Sequence, residues 1–147
     1  MSTPPLAPAA PTLRFGRSVW SLLAGFLFVV FASLATDALF HALHVFPNLG
    51  EYTASKPLIL ATAYRFLYGV MGSYLTARLA PFRPMLHAMI GGFIGVAIGT
   101  VGAIATWNKN FGPHWYPIAL IVLALPQAWL GGWLFLRRPA NQPPASS

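Results

Sequence analysis

The sequence predicts an all-α, polytopic membrane protein: an antiparallel bundle of four transmembrane helices with both termini on the cytoplasmic side. Three observations carry this. The composition, 56% hydrophobic and 7% charged with a mean hydropathy of +0.63, leaves too few charges to solvate a globular surface. Apolar residues gather in four stretches, about 19–45, 58–79, 85–106 and 115–136, each long enough to cross a hydrocarbon core ~30 Å thick at ~1.5 Å per residue. The Lys and Arg residues collect on alternate connections, which sets an orientation.

The membrane domain takes residues 14–138, between tails 1–13 and 139–147 that are rich in Pro, Ala and Ser. Such tails bury no core and are expected to be disordered. Arg14 and Arg17 precede the first span, Arg78 and Arg83 flank the connection between the second and third, and Arg137 and Arg138 close the fourth. These six mark the cytoplasmic side, while the other two connections hold only Lys56 and Lys109 among their cations and face outward. The net charge of +7 and pI near 10.6 therefore point to anionic lipid headgroups as partners and not to nucleic acid. There is no cysteine, which excludes disulfides, thiol catalysis and cysteine-ligated metal centres.

The first span has a competing reading as a cleaved signal peptide, with Arg14 and Arg17 before an apolar run and small residues at Ser33-Leu34-Ala35. Apolar residues continue through Ala38, Leu39, Phe40, Ala42, Leu43, Val45 and Phe46, so a retained span is expected. It carries Asp37, His41 and His44, whose offsets of four and seven place them on one face of a helix. The second span carries Arg65 between Tyr64 and Tyr68. Asp37 lies ten residues before Pro47 and Arg65 eight after Pro57, which puts both ~12–15 Å below the outer ends of antiparallel neighbours. An unpaired charge at such depth costs ~2.5–3.5 kcal/mol on insertion scales, so the two are expected to pair, with the arginine fork holding both carboxylate oxygens.

Helices in lipid associate through close backbone approach, and small residues mark the seams. On the third span Gly91, Gly95, Gly99 and Ala103 recur every four residues, which predicts a central helix. Gly69, Ser73 and Ala77 on the second span form the expected mate. The fourth span contains Pro126 and Gln127 near its middle. Proline removes the donor to the Val122 carbonyl and predicts a kink there, with Gln127 as a helix-to-helix hydrogen-bonding group or a cavity lining.

Asp37, His41, His44, Tyr64, Arg65, Tyr68 and, from the last outer loop, His114 thus form a candidate polar pocket. Intramembrane ionisable residues are a functional-site hypothesis by default. One reading is an accessory or structural membrane protein whose Asp37–Arg65 pair fixes helix register. A second is a proton-coupled or passive small-solute transporter using that pocket, oligomeric because four short helices enclose little volume, or part of a larger membrane complex. A third places a metal or b-type haem on His41 or His44 with His114, although the spacing lacks further protein ligands and no cofactor is required. No nucleotide loop or catalytic triad is present, and an enzyme is the least supported class.

Residues 72–91 read Gly72-Ser73-Tyr74-Leu75-Thr76-Ala77-Arg78-Leu79-Ala80-Pro81, then Pro84, His87-Ala88 and Gly91. This segment resembles a hairpin of small, uncharacterised four-helix bacterial inner-membrane proteins. The resemblance implies four spans and a bacterial inner membrane, and no activity.

Overall fold

The four apolar stretches become four helices: α1 (Pro11–Ala42), α2 (Ser55–Leu79), α3 (Pro84–Thr106) and α4 (Trp115–Leu136). The computed structural model describes residues 11–48 and 51–139, and among them there is no strand. Of the two tails, residues 1–10 and 140–147 lie outside the described residues, and 11–13 belong to α1. Three helices, α1, α3 and α4, are long and apolar enough to cross a membrane. α2 is as long but carries Lys56, Arg65, Arg78 and three tyrosines, which lowers its hydropathy.

The helix ends follow local chemistry. α1 is helical from Pro11, the first described residue, and so runs well before the apolar stretch at 19. At its other end Val45 N–H donates to Phe40 O (2.9 Å) and His44 N–H to His41 O (3.1 Å), with His44 at φ 56°. This is a Schellman cap with histidine in the left-handed position usually held by glycine. α1 therefore stops at Ala42, short of the expected 45. Arg83 (φ 40°) occupies the left-handed region just before α3, where Pro84 takes the first turn. α4 matches the expected 115–136 and runs through Pro126, which is exposed while Ala124 and Ala128 are buried.

Burial is inverted relative to a water-soluble bundle. Among the described residues, every buried one apart from Val70 and His87 is Gly, Ala, Ser or Thr, and the largest fully buried side chain is Ser21. Phe31, Phe93, Val101 and Ile104 are 60–72% exposed. Small residues at helix seams and large apolar ones facing outward are the pattern of packing in lipid.

α2 and α3 each pack on all three other helices, whereas α1 and α4 do not meet among the described residues. α2 meets α4 at Gly131, where a Cβ would lie 2.7 Å from both Ser73 Cβ and Tyr74 N. Gly69 faces the Gln127 side chain. α3 meets α4 at Gly92, where a Cβ would be 2.6 Å from Ala128 Cβ. Gly25 of α1 crosses α2 with a would-be Cβ 2.6 Å from Gly72 O. The expected seam thus changes partners. Gly69 and Ser73 pack on α4, and Gly91, Gly95 and Gly99 have no neighbour nearer than 3.2 Å to an added Cβ.

Candidate functional site: an ion pair between two cavities

Asp37 projects from α1 toward two successive residues of α2. Arg65 Nη2 donates to Asp37 Oδ2 at 2.5 Å, and Tyr64 Oη donates to Oδ1. Arginine does not hold both carboxylate oxygens, because the adjacent tyrosine takes one of them. One turn further along α2, the hydroxyls of Tyr68 and Thr36 bond at 2.8 Å, and Thr36 also donates to Ala32 O. Tyr64 packs between Phe40 and Tyr68, with ring centroids 5.7 and 5.8 Å away. The Arg65 guanidinium lies 5.9 Å from the Tyr116 ring centroid, within cation–π range, and its Nε is buried without a partner.

The pair is not sealed: the Arg65 and Asp37 side chains are 31% and 21% exposed. They open onto two cavities. One, of about 410 Å³, lies at the end of the bundle that carries the α1–α2 and α3–α4 loops and is lined by His41, Phe46, Trp107, Phe111, His114 and Tyr116. The loops knit together over it, with Thr53 N–H donating to Phe111 O (2.8 Å) and Trp115 Nε1–H to Ser55 Oγ (3.4 Å). The other, of about 400 Å³, is a half-open mid-bundle cleft where α1 parts from α3 and α4, and its polar lining includes Ser33, Ser73 and Gln127. Asp37, Arg65, Gly99 and Leu120 border both cavities.

The remaining expected pocket residues divide. His41 lines the loop-side cavity, and its Nδ1–H donates to Asp37 O at 2.7 Å; it touches the backbone of Asp37 and not its carboxylate. His44 is exposed and borders neither cavity. As the left-handed cap it has left the helix, so an offset of seven no longer places it on the Asp37 face. Tyr68 also borders neither cavity and spends its hydroxyl on Thr36. His114 lines the loop-side cavity, stacks on Trp107 at 4.3 Å and donates through Nε2–H to Trp107 O at 3.0 Å. Among the described residues no group of three or more His, Cys, Asp or Glu comes together to hold a metal ion.

Three contributors are absent from the expected pocket. Thr36 offers only a hydroxyl beside a more conspicuous Asp. Tyr116, in the first turn of α4, ends an aromatic stretch that reads as a membrane-interface belt. Leu120 is an ordinary apolar residue whose position between the cavities has no sequence signal. At the opposite end of the bundle His87 is buried, with Nδ1–H donating to Arg83 O at 3.3 Å and the Phe82 ring 5.0 Å away. Nearby, Arg138 lies 4.7 Å over Tyr74 and Arg137 lies 4.1 Å over Trp133. No protein-family model, curated protein or solved structure matches this chain.

Proposed function

We propose that this chain is a small integral membrane protein, an antiparallel four-span bundle of a bacterial inner membrane with both termini cytoplasmic, that handles a small solute through its two cavities. The observation that carries the solute reading is the shared wall: Asp37 and Arg65 border both cavities. A pair serving only as a register lock needs no cavity on either side.

Several features support the membrane arrangement. α2 is the least apolar helix yet packs on the other three, so its polar residues can be shielded within the bundle. The exposed Arg14, Arg17, Arg78, Arg83, Arg137 and Arg138 follow the positive-inside rule if the hairpin and both termini are cytoplasmic, where anionic headgroups are natural partners. On this arrangement the Asp37–Arg65 pair is intramembrane and the loop-side cavity opens outward. The accessory reading keeps one observation of its own, the double bonding of Tyr64 and Tyr68 to α1, which clasps two helices whatever the cavities do.

Topology and transport are separately testable. Single cysteines at Phe82 and Lys109 of the otherwise cysteine-free chain should be labelled by an impermeant reagent from opposite faces of the membrane, and labelling from one face would refute the four-span arrangement. In proteoliposomes, stopped-flow light scattering should show faster solute entry than in protein-free vesicles. The double exchange Asp37→Arg with Arg65→Asp should fold yet lose that flux. An exchanged protein that transports normally would leave the pair a structural role only.

A further inference from the structure

The loop-side cavity has a chemistry that selects a solute. Asp37 and Arg65 form part of the wall shared by the two cavities, and parting them leaves two charges within the bundle without a partner, which is disfavoured. A cation would satisfy Asp37 and strand Arg65; an anion would do the reverse. A molecule carrying both an ammonium and a carboxylate satisfies both at once. The contact to be exchanged is a single one, Arg65 Nη2 to Asp37 Oδ2. Throughout the exchange Tyr64 can stay on Oδ1 and the guanidinium can stay against Tyr116. Around the pair the cavity is walled by Phe46, Trp107, Phe111 and Leu120, which suits an apolar substituent. On the α3 side Gly102 has nothing within 4 Å of an added Cβ, so that wall leaves room.

We propose that the loop-side cavity binds a small zwitterion with an apolar side chain, of the amino-acid class, whose carboxylate takes Arg65 and whose ammonium takes Asp37, and that binding opens the wall to the mid-bundle cavity. This rests on the solute-handling reading above and adds to it the class of solute and the event that opens the path. Ligand binding opens the wall only because the two states differ in affinity for the zwitterion.

The full chain contains no cysteine, so single thiols report on each cavity. Thr106→Cys lines the loop-side cavity and Ser33→Cys the mid-bundle cavity. In proteoliposomes an impermeant cationic methanethiosulfonate, applied on the loop face, should modify Thr106→Cys readily and Ser33→Cys slowly. Leucine or phenylalanine should raise the Ser33→Cys rate about tenfold, the factor expected if the bound state shifts the equilibrium by one decade. The corresponding amines, 3-methylbutylamine and phenethylamine, and the corresponding acids, 4-methylpentanoate and 3-phenylpropanoate, should not. Unmodified protein gives a readout free of variants: the two amino acids should raise its melting temperature in detergent, and the one-charge analogues should not.

The outcomes separate the two levels. If the amino acids have no effect in either assay, or a one-charge analogue works equally well, while Asp37→Asn still opens Ser33→Cys to the reagent, the zwitterion proposal is overturned and the two-cavity path stands. If neither ligand nor Asp37→Asn nor Arg65→Gln changes the Ser33→Cys rate, both the proposal and the solute-handling reading fall. Ready labelling of Ser33→Cys without ligand would mean that the pair closes nothing, and overturns the proposal as well.

Discussion

α4 and α1 both pack on α2 through glycines, but the contact with α1 is interrupted. Against α4 the backbones themselves touch: Gly131 sits on Val70 O and Tyr74 N, and Gly69 on the Gln127 side chain. Ala128 of α4, fully buried, lies against Gly92 of α3. Against α1 the close approach is confined to one glycine crossing, Gly25 on Gly72, after which a cavity opens and contact resumes through polar side chains at Thr36 and Asp37. Backbone seams between small residues are rigid because any displacement loses many contacts at once. Side-chain bonds across a gap can be exchanged one at a time. The α2–α4 half is therefore expected to act as the scaffold, with α1 the more readily displaced element.

The sharpest way to break this contrast is to put a side chain into the rigid seam. Gly131→Leu forces α4 away from α2 and should lower stability by roughly 3 kcal/mol, the upper range of overpacking costs; circular dichroism melting in detergent would register it. A melting temperature equal to that of the unmodified protein would mean the seam is soft. Asp37→Ala leaves Arg65 and Tyr64 without their acceptor and should cost about 1–3 kcal/mol, so the same melts should place it below Gly131→Leu in effect. An Asp37→Ala variant less stable than Gly131→Leu would reverse the ranking and make the clasp the main fastening of the bundle.

Smaller changes sharpen the picture further. Tyr68→Phe removes only the hydroxyl bond to Thr36 and should cost about 0.6 kcal/mol, the average for polar contacts between membrane helices. Because Tyr68 borders neither cavity, solute entry should be unaffected, and a flux defect in this variant would bring Tyr68 into the path. Gly102→Ala meets open space and should be neutral or stabilising by up to about 1 kcal/mol through helix propensity. Gly95→Ala, whose added methyl would reach ordinary contact with Ala124 Cβ at 3.7 Å, should be similarly mild. Strong destabilisation by Gly95→Ala would restore the four-residue glycine repeat of α3 as a true seam.

What could be read from the residues followed from physics that acts along one chain. Lengths of apolar sequence and bounding prolines locate α2, α3 and α4 to within a few residues. Counting depth from Pro47 and Pro57 brings Asp37 and Arg65 to one level, and the two are hydrogen-bonded. The readings that failed depended on neighbours or on backbone conformation. A glycine repeat says that something approaches closely without saying which helix does, so Gly92 rather than Gly91 meets Ala128, and Gly69 packs on α4 rather than on α3. His44 carries no mark of a left-handed cap, although histidine enters that region more readily than most residues. The cavities were illegible because a void is a property of helices that part, and no residue encodes it alone.

The separation of α1 from α4 also bears on how such a bundle is made. Helices α2, α3 and α4 pack on one another without α1, whereas α1 has most of its packing on α2. On the proposed four-span arrangement α1 enters the bilayer first during synthesis, with Asp37 unpartnered until Arg65 follows it. The newborn chain then carries an isolated charge that costs ~2.5–3.5 kcal/mol near a helix centre. Biogenesis should therefore be most fragile between the first and second insertions, and Arg65 substitutions should trap nascent protein at that stage before any effect on the finished fold is felt.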